Sequence, residues 1–315
     1  MKNFKNNILK NKPLMVLLVT CVVISILNPR FLSPGNILTV LRQTSINAVI
    51  ATGMTFAILI GGIDLSVGSV LGFSGAIAAT LISGGTNIAV VLVVTLLIGL
   101  TVGLANGTLI TLGRLQPFIA TLGTVTLLRG LILVFTKGKP ISIGNTGGSK
   151  LFSSIGTGFF GPIPIPVYIM IVVIIIAYYV LNHTRMGRYI YSTGSNEEAT
   201  LYSGIKTNRV KLFVYATSGM MASLAGVLIT ARLGSAQPTA GAGYELDAIA
   251  AVVLGGTSMA GGVGTIAGTA IGALIIGVLN NSLNLMQVSS YYQDVAKGIV
   301  ILVAVLMDRK QKSSR

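Results

Sequence analysis

Apolar runs long enough to cross a lipid bilayer recur along this chain, and they constrain its fold more than any motif does. A span needs roughly 17–25 apolar residues, fewer where other helices enclose it. Ten candidates can be read: Leu14–Leu27, Ser45–Ile60, Ser66–Ile82, Ile88–Leu112, Leu115–Phe135, Val167–Leu181, Leu212–Ala231, Ala248–Leu254, Thr265–Asn280 and Asp294–Met307. Charged residues make up only 9% of the chain, where a soluble domain carries about 25%. The expected fold is all-α: a polytopic helical membrane protein of about ten transmembrane helices, forming a single transmembrane domain over residues 1–315. Two polar segments interrupt it, an external loop at about 136–166 and a cytoplasmic loop at about 182–211.

The cations orient these spans. With the N-terminus inside, ten spans place 14 of the 22 Lys and Arg residues on the cytoplasmic side: Lys2, Lys5, Lys10, Lys12, Arg114, Arg185, Arg188, Lys206, Arg209, Lys211, Arg309, Lys310, Lys312 and Arg315. Arg30, Lys137, Lys139, Lys150 and Arg232 fall outside, and Arg42, Arg129 and Lys297 lie in or beside spans. This bias predicts that both termini are cytoplasmic. The net charge of +15 does not point to nucleic acid, because the cations sit in short patches between apolar runs. Met1 to Leu27 looks like a signal peptide, yet "NPRFL" follows with no small-x-small cleavage site, so an uncleaved first span is expected. The lone cysteine, Cys21, allows no disulfide within the chain.

Several chemistries lack their residues. His183 is the only histidine and has no nearby Cys or carboxylate, which argues against a metal site. No G-x-S-x-G nucleophile elbow occurs. No G-x-x-x-x-G-K-[ST] loop occurs either, so no cofactor is expected in this chain and ATP should not bind to it. Proton-coupled carriers place acids within their spans. Here Glu197, Glu198, Glu245, Asp247, Asp294 and Asp308 fall in loops or at span ends, and only Asp64 does not.

Asp64 sits in "AILIGGIDLSVGSVLGFSGAIAA" (57–79), beside Gly61 and Gly62 and ahead of Ser66 and Gly68. A carboxylate stranded at the bilayer centre costs about 2.5–3.5 kcal/mol on insertion scales. Two roles are open. Asp64 could cap the following helix by accepting from the Ser66 or Val67 amide, or it could line a pore. Arg129, inside the fifth span, could snorkel or pair with a carbonyl, or it could line the pore. The many glycines, among them Gly99–Gly103 and Gly264–Gly268–Gly272, suit close packing between membrane helices. "SVGSVLG" (66–72) weakly echoes "GVGTIAG" (262–268).

In the cytoplasmic loop, Ser195-Asn196-Glu197-Glu198 fits a capping box. The acids suit the positive end of a helix dipole, and Gly204 offers a left-handed stop. A helix of about two turns is expected, showing Ala199, Tyr202 and Ile205. It could lie on lipid headgroups or dock a soluble partner.

Four strings carry a resemblance: "GGIDLSVGSVLGFSGAIAA", "LGTVTLLRGL" (122–131), "GSNEEATLYSGIKTNRVKLFVYATSGMMASLAG" (194–226) and "GYELDAIAAVVLGGTSMAGGVGTIAGTAIGA" (243–273). Together they make the chain similar to the permeases of bacterial ABC importers for pentoses and other monosaccharides, the ribose branch most of all. Permeases for another pentose, a hexose or a related furanose compound remain open. The resemblance implies a homodimer of permeases in the bacterial cytoplasmic (inner) membrane. It also implies a cytoplasmic ATPase subunit holding ATP and Mg, and an extracytoplasmic sugar-binding protein. Ser195, Asn196, Glu197, Glu198, Ala199, Tyr202, Ser203, Gly204 and Ile205 would then form the ATPase-coupling helix, with Thr200 where the family pattern has alanine. Glu245 and Asp247 are candidate contacts for the binding protein, Asp247 also reading as a helix cap. Asp64, Ser66, Gly68, Arg129, Gly264 and Gly268 would serve helix packing or line the pore. A stand-alone channel or secondary carrier is the alternative of a different class, and it would need no coupling helix.

Overall fold

The computed structural model describes residues 12–312. Lys2, Lys5, Lys10 and Arg315, used above for orientation, lie outside the described residues. Thirteen α-helices make up about three quarters of this part. In chain order they are α1 Lys12–Leu27, α2 Pro34–Leu59, α3 Val67–Ser83, α4 Ile88–Thr111, α5 Pro117–Thr136, α6 Gly147–Thr157 and α7 Ile165–His183. There follow α8 Arg185–Ser195, α9 Glu197–Tyr202, α10 Thr207–Leu233, α11 Tyr244–Leu254, α12 Ile266–Leu285 and α13 Ser290–Lys312. Each apolar run of the sequence lies on one of these helices. Five of them, α4, α5, α7, α10 and α12, are long and apolar enough to cross a membrane.

Local chemistry sets many of the ends. Proline opens α2 and α5, where a missing N–H costs nothing. The side chains of Asn87, Thr146, Thr184 and Thr265 cap α4, α6, α8 and α12 by accepting from backbone amides two or three residues on. The polar segment 136–166 is more ordered than its composition indicates. It holds α6 and the two-residue strands β1 (Ile141–Ser142), β2 (Phe159–Phe160) and β3 (Ile163–Pro164). β2 pairs with β3, and β1 pairs antiparallel with β4 (Ser235–Ala236), just beyond α10.

The core is built around α10, which packs on α2, α3 and α4. α10 and α12 are mostly buried, whereas α4, α5 and α7 turn most of their apolar side chains outward. Between α4 and α10 the backbones nearly touch. A Cβ added at Gly99 would overlap the Gly219 carbonyl, and one at Gly103 the Tyr215 carbonyl. Gly268 and Gly272 give α12 the same close approach to α11, against Gly255 and Ala251. Gly264 is not part of that helix face, because it precedes α12 in the connection from α11. One end of the molecule thus carries α8, α9 and the α4–α5 corner, and the other carries the β1–β4 pair.

Candidate functional site

The Asp64 segment answers why an apolar run keeps an acid. α2 closes at Gly61, whose φ of +75° suits glycine, and the Gly62 amide reaches back to the Ala57 carbonyl at 2.9 Å. The chain then runs without helix to Ser66. Asp64 is fully buried. Its Oδ1 accepts from the Ser66 amide at 3.0 Å and the Ser66 hydroxyl at 2.6 Å, and its Oδ2 accepts from the Ser218 hydroxyl of α10 at 2.7 Å. Asn106 of α4 donates to Ser66 Oγ at 2.9 Å, and Thr124 of α5 donates to Asn106 Oδ1 at 2.5 Å. One carboxylate therefore anchors a chain of hydrogen bonds joining the start of α3 to α4, α5 and α10. A buried charge is tolerable when its lone pairs are satisfied in this way. The Ser66 amide is among the partners expected from sequence. The Tyr215 hydroxyl lies against Gly62, buried and without a hydrogen-bond partner among the described residues.

Gly68, Arg129 and Glu245 are brought together farther along α3. After β4 the chain turns through Gly241 and Gly243, at φ +77° and +81°, and starts α11 at Tyr244. This turn lies on a glycine trough of α3. A Cβ on Gly68 would overlap both Glu245 and the Gly241 carbonyl, and one on Gly72 would sit 2.8 Å from the Ala240 oxygen. Arg129 Nη1 donates to that same Ala240 oxygen at 2.7 Å, and Glu245 lies within electrostatic reach of the guanidinium.

Two expectations for α11 need correction. Asp247 does not cap it. The left-handed glycine at 243 starts the helix at Tyr244, so Asp247 is already inside the first turn. Its Oδ2 accepts from Asn280 of α12 at 3.1 Å and faces Lys297 of α13 at 3.5 Å. Nor do the two acids form an exposed face on this chain: Asp247 is buried and Glu245 half-buried.

At the α9 end, Asn196 takes the place expected of Ser195. Ser195 ends α8 and donates to the Tyr191 carbonyl at 2.9 Å, while Asn196 Oδ1 accepts from the Ala199 amide at 2.9 Å and caps α9. Glu197 pairs with Lys211 of α10 at 2.6 Å. Glu197, Glu198, Ala199, Leu201 and Tyr202 are exposed, Tyr202 at 88%. Ser203 donates to the Ala199 carbonyl, and Gly204, at φ +82°, stops the helix. Ile205 follows it, half-buried against the core rather than displayed. Just before this helix, Gly194 is wedged between two glycine breaks: a Cβ there would overlap the Leu59 carbonyl and the Gly262 amide, which hydrogen-bond to each other at 2.8 Å.

Residues 36–305 match the family described as branched-chain amino acid transport system / permease component. The chain belongs to this permease family. The permease is 54% identical to the ribose import permease protein RbsC of Haemophilus influenzae over 314 residues, 98% of this chain and 97% of the relative. It is 52% identical to RbsC of Escherichia coli K12, covering 97% and 95% of the two chains, and 52% identical to RbsC of Bacillus subtilis, covering 96% and 93%. No solved structure matches.

Sequence reading missed most of the permease's central node. Asn106, Thr124 and Ser218 carry it with Asp64 and Ser66, and the available signal was a polar side chain interrupting an apolar run. Among the described residues no cluster of His, Cys, Asp and Glu could hold a metal ion. What the permease offers instead is neutral hydrogen-bonding chemistry within its helices and one small exposed helix. That helix is joined through Gly194 to the points where α2 and the α11–α12 connection break. The exposed helix and the two helix breaks are thus in backbone contact at Gly194.

Proposed function

We propose that this chain is the membrane subunit of an ATP-driven importer, and that its cargo is ribose delivered by an extracytoplasmic binding protein. The near full-length similarity to ribose import permeases carries this reading. Two copies form the pore in the bacterial cytoplasmic membrane, with about ten spans each and both termini in the cytoplasm. A partner subunit holds ATP and Mg and grips Asn196–Ser203. When the ATPase domains close, α9 moves. Gly194 then presses on the Leu59–Gly262 contact, and the helix breaks at 60–66 and 255–265 transmit the push to α3 and α12. Access alternates as such segments rock. A neutral sugar needs hydroxyl, amide and carbonyl partners rather than fixed ions, which agrees with a charge-poor interior. Capture at high affinity is left to the binding protein.

The test is reconstitution of the permease with its ATPase and binding protein in vesicles. Ribose should stimulate hydrolysis and accumulate inside only when all components and ATP are present. Uptake by the permease alone, or stimulation by a different pentose but not by ribose, would overturn the assignment.

A further inference from the structure

At the α9 end a cavity of about 480 Å³ opens at the corner between α4 and α5, lined by Ile110, Thr111, Leu112, Arg114, Asn208 and Lys211. Its polar lining comes from two cations, an amide and the Thr111 hydroxyl, which donates to the Gly107 carbonyl at 2.8 Å. Neither Arg114 nor Asn208 makes a side-chain hydrogen bond or ion pair among the described residues, whereas Lys211 is paired with Glu197 at 2.6 Å. Arg114 holds φ +54°, a conformation uncommon outside glycine, so the corner keeps this cation at the cavity at some backbone cost. Asn208 and Lys211 belong to the first turns of α10, whose N-terminus adds partial positive charge and has no side-chain cap. The rim has the opposite character. Leu112 is 75% exposed, and Leu115, Phe118 and Ile119 beside it also face outward. Cations next to a bare apolar strip, where two apolar helices turn, match a molecule with an anionic head and hydrocarbon tails.

We propose that this corner binds the phosphate headgroup of an anionic membrane lipid, with Arg114 and Lys211 on the phosphate, Asn208 donating beside them, and the acyl chains covering Leu112, Leu115 and Phe118. Basic pockets between membrane helices on the cytoplasmic side recognise such headgroups. A protein partner below the membrane would use the cations but would leave the apolar rim uncovered. The site also has a regulatory consequence. Lys211 is the residue that holds Glu197 of α9. A bound phosphate therefore draws on the same ammonium, and the lipid tunes how firmly α9 is tied to α10.

The lipid-binding part depends on the chain lying in a bilayer and not on the cargo or the ATPase, so the permease alone tests it separately from the proposed function. Full-length permease in nanodiscs of phosphatidylcholine and phosphatidylglycerol is released into a native mass spectrometer, and retained phosphatidylglycerol is counted. Wild type should retain it selectively, and Arg114→Gln should weaken retention roughly fivefold, the effect of one cation near a charged lipid surface. Arg209→Gln, which removes an exposed cation of the same helix turn outside the cavity, should leave retention unchanged. If Arg114→Gln does not fold, Asn208→Asp serves instead, since its new charge should repel the headgroup. The proposal fails if the folded cavity variant retains the lipid as wild type does, or if Arg209→Gln loses as much. It fails equally if millimolar inorganic phosphate displaces the lipid, because the cavity is then a free-anion site. Protection of Arg114→Cys from labelling by the ATPase partner alone, with no effect of lipid, would make it a protein contact and also end the proposal.

Discussion

The two glycine breaks, 60–66 and 255–265, meet at the Gly262–Leu59 hydrogen bond yet are closed by different chemistry. The first uses an acid. Asp64 gathers donors from its own turn and from α10, and through Ser66 it reaches α4 and α5. The bonds described for the second are between neutral groups: the Ser258 carbonyl accepts from the Gly261 amide, the Ser258 amide donates to the Val263 carbonyl, and the Thr265 hydroxyl caps α12 by accepting from Gly268 at 3.0 Å. The weak sequence echo between 66–72 and 262–268 thus hides a physical asymmetry. The first break ties four elements together through a buried carboxylate, whereas the second is tied to its neighbours by neutral groups, the Tyr191 hydroxyl of α8 donating to the Gly264 carbonyl at 2.9 Å and the Gly262 amide to the Leu59 carbonyl.

This contrast is open to direct attack. Asp64→Ala should have the largest effect, because it leaves buried Ser66 and Ser218 donors unpaired, at a cost of about 3 kcal/mol. Membrane abundance and the thermal midpoint in detergent should both fall sharply, and Asp64→Asn should restore most of the loss. Normal abundance of Asp64→Ala with no sugar uptake would instead give Asp64 a pore role. Next comes Gly194→Ala at the meeting point, where overpacking against backbone costs about 1–3 kcal/mol. It should uncouple ATP hydrolysis from transport more than it lowers abundance, which paired uptake and hydrolysis assays would resolve. Thr265→Ala removes only the cap of the second break, worth about 1 kcal/mol, so a small drop in melting temperature with uptake retained is expected. A loss as large as that of Asp64→Ala would erase the asymmetry. Smallest of all, Glu197→Gln breaks an exposed ion pair worth about 0.2–1 kcal/mol. Its stability in a denaturation curve should stay within that range.

How much of this was legible depended on sequence separation. The Asp64–Ser66 contact spans two residues and follows from turn chemistry alone. The Ser218 and Asn106 partners lie 154 residues from Asp64 and 40 from Ser66, and no periodicity announces them. Helix positions were legible from apolar runs, but ends were not where backbone conformation overrode pattern. The left-handed Gly243 starts α11 four residues before Ala248, where the apolar run begins, and this turns Asp247 from an expected cap into a partner of Asn280 and Lys297. Ser195 and Asn196 are equally good caps by composition. Tertiary packing decides between them, since Gly194 and Ser195 are held in α8 against Leu59 and Gly262. Helices α6 and α8 were not expected, because polar, glycine-rich segments carry little helical signal until neighbours supply the packing.

The glycine seam between α4 and α10 has a mechanical meaning. Where two backbones touch there is no soft layer of rotamers to absorb strain, and densely packed interiors pass it on. α10 runs about 40 Å, from 27 residues at 1.5 Å each, with Lys211 near one end and β4 just past the other, and the slightly shorter α4 lies against it. A displacement at one end of this seam is therefore shared by both helices rather than absorbed between them.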